Sequence, residues 1–247
     1  MTADTGLDFS IVIPLYNEEE CAEKCVTEII RGLDRDFGGA YELILVVNGS
    51  TDRTPEICQR LADCYPCVRT VSAMRNLGYG GGIIAGLRTA AGRHVGFMCG
   101  DGQVSPEDLG AVMREIATGS WDLVKARRIS RADGILRRVN SAVYNGVFRL
   151  ALGTRSRDIN AMPKLWRRDV MPLLDPTSTD WFIDAEIMVK ARYRGLRVRE
   201  VPVRYLERVG GRSVVRLSTV FQFLRNAAAV RASGRLRAWR RRPDGAG

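Results

Sequence analysis

Five apolar, β-branched runs punctuate the first half of the chain: residues 9–16 (FSIVIPLY), 41–47 (YELILVV), 68–74 (VRTVSAM), 94–99 (HVGFMC) and 121–127 (WDLVKAR). They are continuous rather than alternating, which predicts strands buried on both faces, as in a parallel sheet. Helical patterns fill the gaps. Val26, Ile29, Ile30 and Leu33 recur at helical spacing, and Thr54-Pro55-Glu56 and Ser105-Pro106-Glu107-Asp108 read as helix starts. Alternating strands and helices predict an α/β, Rossmann-like open sheet, which binds ligands beyond the carboxyl ends of its strands. Later, residues 134–152 and 181–195 read as helices and 196–208 as a strand or hairpin. Leu217, Val220, Phe221 and Leu224 form an apolar stripe, and seven arginines follow from Arg225 to Arg242. The expected organisation is one domain over 1–216 with an amphipathic basic helix and tail over 217–247.

Composition adds limits. At 247 residues and 45% hydrophobic, the chain supports an ordinary core. No run approaches the roughly 18 apolar residues of a membrane span. The start, MTADTGLDFS, lacks a basic stretch followed by an apolar one, so a cytoplasmic enzyme is expected. Six cysteines include one CxxC, Cys64 and Cys67, but with a single histidine they read as free thiols. The net charge is +10, and all but four of the 38 basic residues are Arg, which suits an anionic partner: a nucleotide, nucleic acid or lipid surface. The basic residues are scattered and no RNA-binding motif is present, so nucleic acid is not expected. The C-terminal helix either lies on an anionic membrane surface or packs on the domain.

Four polar clusters fall at strand ends. In IPLYNEEE, Tyr16, Asn17 and Glu18 project from a turn and either face a nucleobase or cap the next helix. In VVNGSTDRT, Asn48-Gly49 forms a tight turn whose N–H groups can meet a nucleotide, or an ordinary loop that Asp52 braces. In MRNLGYGGGIIAGL, Gly80, Gly81 and Gly82 open a helix, where glycine admits either backbone or ligand, and Arg75 offers a phosphate contact. In CGDGQVSPEDL, Asp101 and Gln103 alternate on an extended segment, so their side chains share one side. Two such oxygens suit Mg²⁺ or Mn²⁺ that keeps water and phosphate ligands; the alternative is that Asp101 braces a turn.

In this order, the clusters resemble the family-2 glycosyltransferases of GT-A fold, and within them the dolichol-phosphate mannose synthase and polyprenol-phosphate sugar transferase branch. The likeness runs from about Ser10 to Val215 and includes DINAMPKLWRRDV and WFIDAEIMVKARYRGLRVREVPVRYLERVGGRSVV. It implies a metal-dependent enzyme that takes a GDP- or UDP-linked sugar and passes it to a polyprenyl phosphate or another acceptor. It places Pro14, Tyr16 and Glu18 around the nucleoside, Asp101 and Gln103 on the metal, and Asp158 near the sugar. Asp184 and Glu186 match an acidic pair, and Arg208, Arg212 and Ser213 fall in the segment that closes on phosphate. Asn48, Gly49, Arg75 and Gly80 complete the expected nucleotide site.

The chain departs from the family pattern at four places. Val47-Asn48 replaces two acids, Cys99 replaces the first Asp of DAD, Ala161-Met162-Pro163 replaces a Gly-aromatic step, and Val214 replaces a Lys. These changes keep two further readings open: a flavin-independent pyranose–furanose mutase of a nucleotide sugar, and a non-catalytic nucleotide binder.

Overall fold

The computed structural model describes residues 6–130, 146, 152–154, 156–206, 225, 226, 228–232, 234, 236 and 239. In chain order the elements are β1 (Phe9–Leu15), α1 (Ala22–Phe37), β2 (Tyr41–Asn48), α2 (Thr54–Cys64), β3 (Val68–Ala73), α3 (Tyr79–Leu87) and β4 (His94–Phe97). Then come α4 (Pro106–Ala117), β5 (Leu123–Ser130), β6 (Lys164–Arg167), a short 3₁₀ turn, α5 (Met171–Leu174), α6 (Ile183–Tyr193) and β7 (Val198–Arg204).

The strands form one sheet in the order β3-β2-β1-β4-β6-β5-β7. All neighbours are parallel except β6, which runs antiparallel to β4 and β5. The five expected strands are therefore present, and the sheet is mostly parallel as expected. β6 has no sequence signal: it is four residues long, opens on Lys164, and Phe97 of β4 pairs with that lysine. Its start thus lies at the edge where the parallel strands end. The 196–208 stretch yields a single strand rather than a hairpin.

Both faces of the sheet are apolar, which explains the uninterrupted hydrophobic runs. Ile11, Ile13, Leu15, Leu43 and Leu45 pack against α1, α2 and α4. Val12, Ile44, Val46, Val95 and Phe97 face α3 and α6. The helix start at Ser105 is as predicted, with its side chain accepting from the Asp108 N–H at 3.1 Å.

The stripe from Leu217 to Leu224, most of the stretch 134–152 expected to be helical, and Arg208, Arg212 and Ser213 lie outside the described residues. Further on, Val230, Leu236 and Trp239 join the α3–α6 core, and Asn226 Nδ2 donates to Asp180 Oδ2 at 2.8 Å. Of the two readings of the C-terminal segment, these contacts fit packing on the domain. No described helix is long and apolar enough to cross a membrane.

Candidate active site

The loops after β1 and β2 are laced together. Asn17 adopts φ 53°, a left-handed conformation that Asn tolerates better than most residues. Its N–H donates to Ser50 Oγ at 3.1 Å, and its Oδ1 accepts from the Thr51 N–H at 2.8 Å. The N–H of Glu18 donates to Thr54 Oγ1 at 2.9 Å and that of Glu19 to Asp52 Oδ2 at 3.1 Å. Asn17 is thus a latch between loops rather than a helix cap, and Asp52 braces as expected. Burial opposes the charge on Asp52, but the Thr54 and Glu19 donors outweigh it and hold its carboxyl below the usual range. This lacing leaves Tyr16, 45% exposed, on the rim beside the partly buried Pro14. The Glu18 carboxylate accepts from the Cys21 thiol at 3.0 Å.

The glycine loop is packed against backbone. Gly49, at φ 72°, lies so close to Arg75 and Asn76 that any Cβ would overlap their main chain. Asn48 is buried and its side chain is taken up by that loop: Oδ1 accepts from the Leu77 N–H and Nδ2 donates to Gly78 O, each at 3.0 Å. A Cβ on Gly80 would overlap Ser178 O and approach Asp180 O at 2.8 Å. The glycines therefore admit the strap 177–180, and the Gly81 N–H donates to Thr179 O at 3.1 Å. Arg75 is exposed on the same loop.

Glu186 holds that strap. Its carboxylate accepts from the N–H and hydroxyl of Thr177 and the N–H of Ser178, and pairs with Lys190 at 2.7 Å. Burial pushes its pKa up, but Lys190 and the Ser178 donors bring it below the usual range.

At the end of β4, Gly100 lets the chain lie on Ile13 and Leu15, where a Cβ would not fit. The expected extended stretch is instead a bend, with Gly102 at φ 74°, so strand alternation does not set the two side chains; Asp101, 4% exposed, braces the bend, its Oδ1 accepting from the Gln103 N–H at 3.2 Å. The main chain of Gln103 is tied to Leu206, whose N–H donates to Gln103 O at 2.9 Å. No group of three His, Cys, Asp or Glu side chains able to hold a metal exists among the described residues. One carboxylate and one amide oxygen fit only a hard cation that takes the rest of its shell from phosphate and water, which describes Mg²⁺ or Mn²⁺.

The expected acids Asp158 and Asp184, like Glu186, are each matched by a base that the sequence did not single out. Arg128 grips Asp158 with both ends of its fork, Nε to Oδ2 at 2.6 Å and Nη2 to Oδ1 at 2.5 Å. Its guanidinium also lies 5.1 Å from the Tyr205 ring centroid. Lys164, fully buried, pairs with Asp184. Lys125, also fully buried, donates to the carbonyls of Ala126 and Asp158, with Glu200 at 3.8 Å. Burial and then Lys164 lower its pKa to about 7.

The mostly parallel sheet, with the β1 and β2 loops laced together and a carboxylate at the end of β4, is the architecture of GT-A glycosyltransferases. The chain belongs to glycosyl transferase family 2, whose profile matches residues 10–177. An undecaprenyl-phosphate 4-deoxy-4-formamido-L-arabinose transferase of Edwardsiella ictaluri is 31% identical over 83% of this chain and 62% of its own length. Glycosyltransferase AglD of Haloferax volcanii is 31% identical over 80% of this chain and 33% of its own. A dodecaprenyl-phosphate galacturonate synthase of Rhizobium johnstonii is 30% identical over 67% and 49%. The chain thus spans less than two thirds of these relatives' length. Among solved structures, glucosyl-3-phosphoglycerate synthase from Mycobacterium tuberculosis, in complex with Mn²⁺ and UDP-glucose, shares the fold at a TM-score of 0.69 and 20% identity. That match covers 92% of this chain and 80% of the synthase.

Proposed function

We propose that the chain carries a divalent-metal-dependent transfer of a sugar from a nucleoside diphosphate to a polyprenyl phosphate. The donor's nucleoside lies along Pro14, Tyr16 and Glu18, with Arg75 on the phosphate side. Asp101 and Gln103 would hold Mg²⁺ or Mn²⁺, which when bound neutralises charge on the departing diphosphate. Arg208, Arg212 and Ser213, which the family resemblance assigns to phosphate binding, lie outside the described residues and are proposed as further phosphate contacts on that resemblance alone.

The observation that carries the choice of acceptor is the pairing of the acids. A hydroxyl acceptor needs a general base close to it. Asp158 is forked by Arg128 and Asp184 is paired with Lys164, so both are committed as acceptors of charged hydrogen bonds. A phosphate acceptor is already anionic and needs no base. The relatives' printed names, two of them polyprenyl-phosphate sugar enzymes, support the same reading. Nothing in the family match supports rearrangement of the donor sugar.

The test is incubation with GDP-, UDP-, CDP- and dTDP-sugars, Mn²⁺ and undecaprenyl phosphate. The expected result is a lipid-linked sugar from one donor class, dependent on metal. Absence of lipid product with every donor, alongside transfer to a hydroxyl acceptor, would overturn the choice of acceptor.

A further inference from the structure

The residue that opens α1 is a poor cap. Cys21 occupies the N-cap, and its side chain makes no capping hydrogen bond, although Ser, Thr, Asp and Asn are the residues that cap well. Its thiol, 1% exposed, points elsewhere. It lies 3.0 Å from Glu18 Oε2 and 3.5 Å from Gly100 O, so one weak donor bridges two oxygens. One turn along the helix, the buried Cys25 accepts the Gly102 N–H on its sulfur.

These two contacts fall on either side of one residue. Gly100 O belongs to the peptide group that precedes Asp101, and the Gly102 N–H to the one that follows it. A peptide group is planar, so holding both planes fixes the two backbone dihedrals of the residue between them. The direction in which the Asp101 side chain leaves the backbone is then fixed as well. Burial first, and the charges of Glu18 and Asp101 after it, push both thiols up, Cys25 to about 11 against the pull of the Gly102 N–H. Both stay neutral near pH 7 and brace the bend without adding negative charge.

On the metal reading proposed above, we infer that Cys21 and Cys25 are positioning residues for the divalent cation: from one helix they grip the peptide groups on both sides of Asp101 and set the backbone from which its carboxylate projects. A cation with few protein ligands depends on how those ligands are held, and loss of such support costs about 10- to 100-fold in metal affinity.

Calorimetry tests this, starting with GDP, UDP, CDP and dTDP to find the diphosphate that binds. Mn²⁺ is then titrated into that complex for wild-type protein, Cys21→Ser, Cys25→Ala and Cys25→Ser. A serine at position 21 is a preferred cap and turns back to the helix N–H groups, releasing Gly100 O. Cys21→Ser should therefore keep the wild-type denaturation midpoint or exceed it, while its Mn²⁺ affinity falls about tenfold. A purely structural role would move the two together. Cys25→Ala should lose Mn²⁺ affinity to a similar degree, and Cys25→Ser, whose hydroxyl can accept the Gly102 N–H, should recover most of it. Unchanged Mn²⁺ affinity in Cys21→Ser or in Cys25→Ala overturns the inference, as does an equal loss in Cys25→Ala and Cys25→Ser. Absence of any Mn²⁺-dependent binding in wild-type protein overturns the metal reading and this inference together. Mn²⁺ binding that is the same in wild type and variants overturns this inference alone.

Discussion

Three of the four lysines, Lys125, Lys164 and Lys190, are buried in ion pairs or against carbonyls. The fourth, Lys24, is exposed, and every other basic residue bar the single His is Arg. Composition held this signal, but it named no partner, because Asp158, Asp184 and Glu186 meet their bases only through the tertiary fold. Lys125 makes the consequence measurable. Its folded pKa of about 7 lies below the roughly 10.4 of an exposed lysine. Between those values the unfolded chain holds a proton that the folded chain has released, so this residue's contribution to stability rises with pH across that window. Wild-type protein should therefore gain on Lys125→Met in denaturation midpoint from pH 7 to pH 10. A difference that stays constant would contradict the burial of the charge. Gly80 is the second test at this scale. A Cβ there would overlap Ser178 O, so Gly80→Ala should cost about 1–3 kcal/mol in chemical denaturation, and a neutral result would refute the close packing of the strap.

Among the elements, the strands with long apolar runs were legible because burial on both faces leaves a continuous hydrophobic signature. β6 was not, since four residues beginning with a lysine carry no period, and its burial depends on Asp184 arriving from α6. The glycine run was legible as a place of close approach, but not as to what approaches: the strap 177–180 comes from a hundred residues away. Glu186 connects these pieces from the first turn of α6. Removing it in Glu186→Ala leaves Lys190 buried without its partner and should cost about 3–5 kcal/mol. Hydrogen exchange should then speed up at the Gly81 amide, whose acceptor is Thr179 O. Destabilisation with unchanged exchange at that amide would show that Glu186 does not hold the strap.

For the whole molecule, the ordered run of motifs was more informative than any one of them, and the family match over residues 10–177 agrees with it. What the motifs could not convey was how the substituted positions combine. Cys99 and Met162 are 63 residues apart and touch only because β6 enters the sheet beside β4. The net charge of +10 is compatible with an anionic donor and with an anionic acceptor, and does not separate them.

A working, metal-dependent donor site at the end of β4 makes one prediction about binding that needs no acceptor. The measurement is thermal shift of wild-type and Asp101→Ala protein with GDP, UDP, CDP and dTDP, each with and without Mn²⁺. One nucleotide should stabilise the wild-type protein more strongly when Mn²⁺ is present, and Asp101→Ala should lose that metal-dependent part. Full metal-dependent stabilisation in Asp101→Ala would contradict such a site.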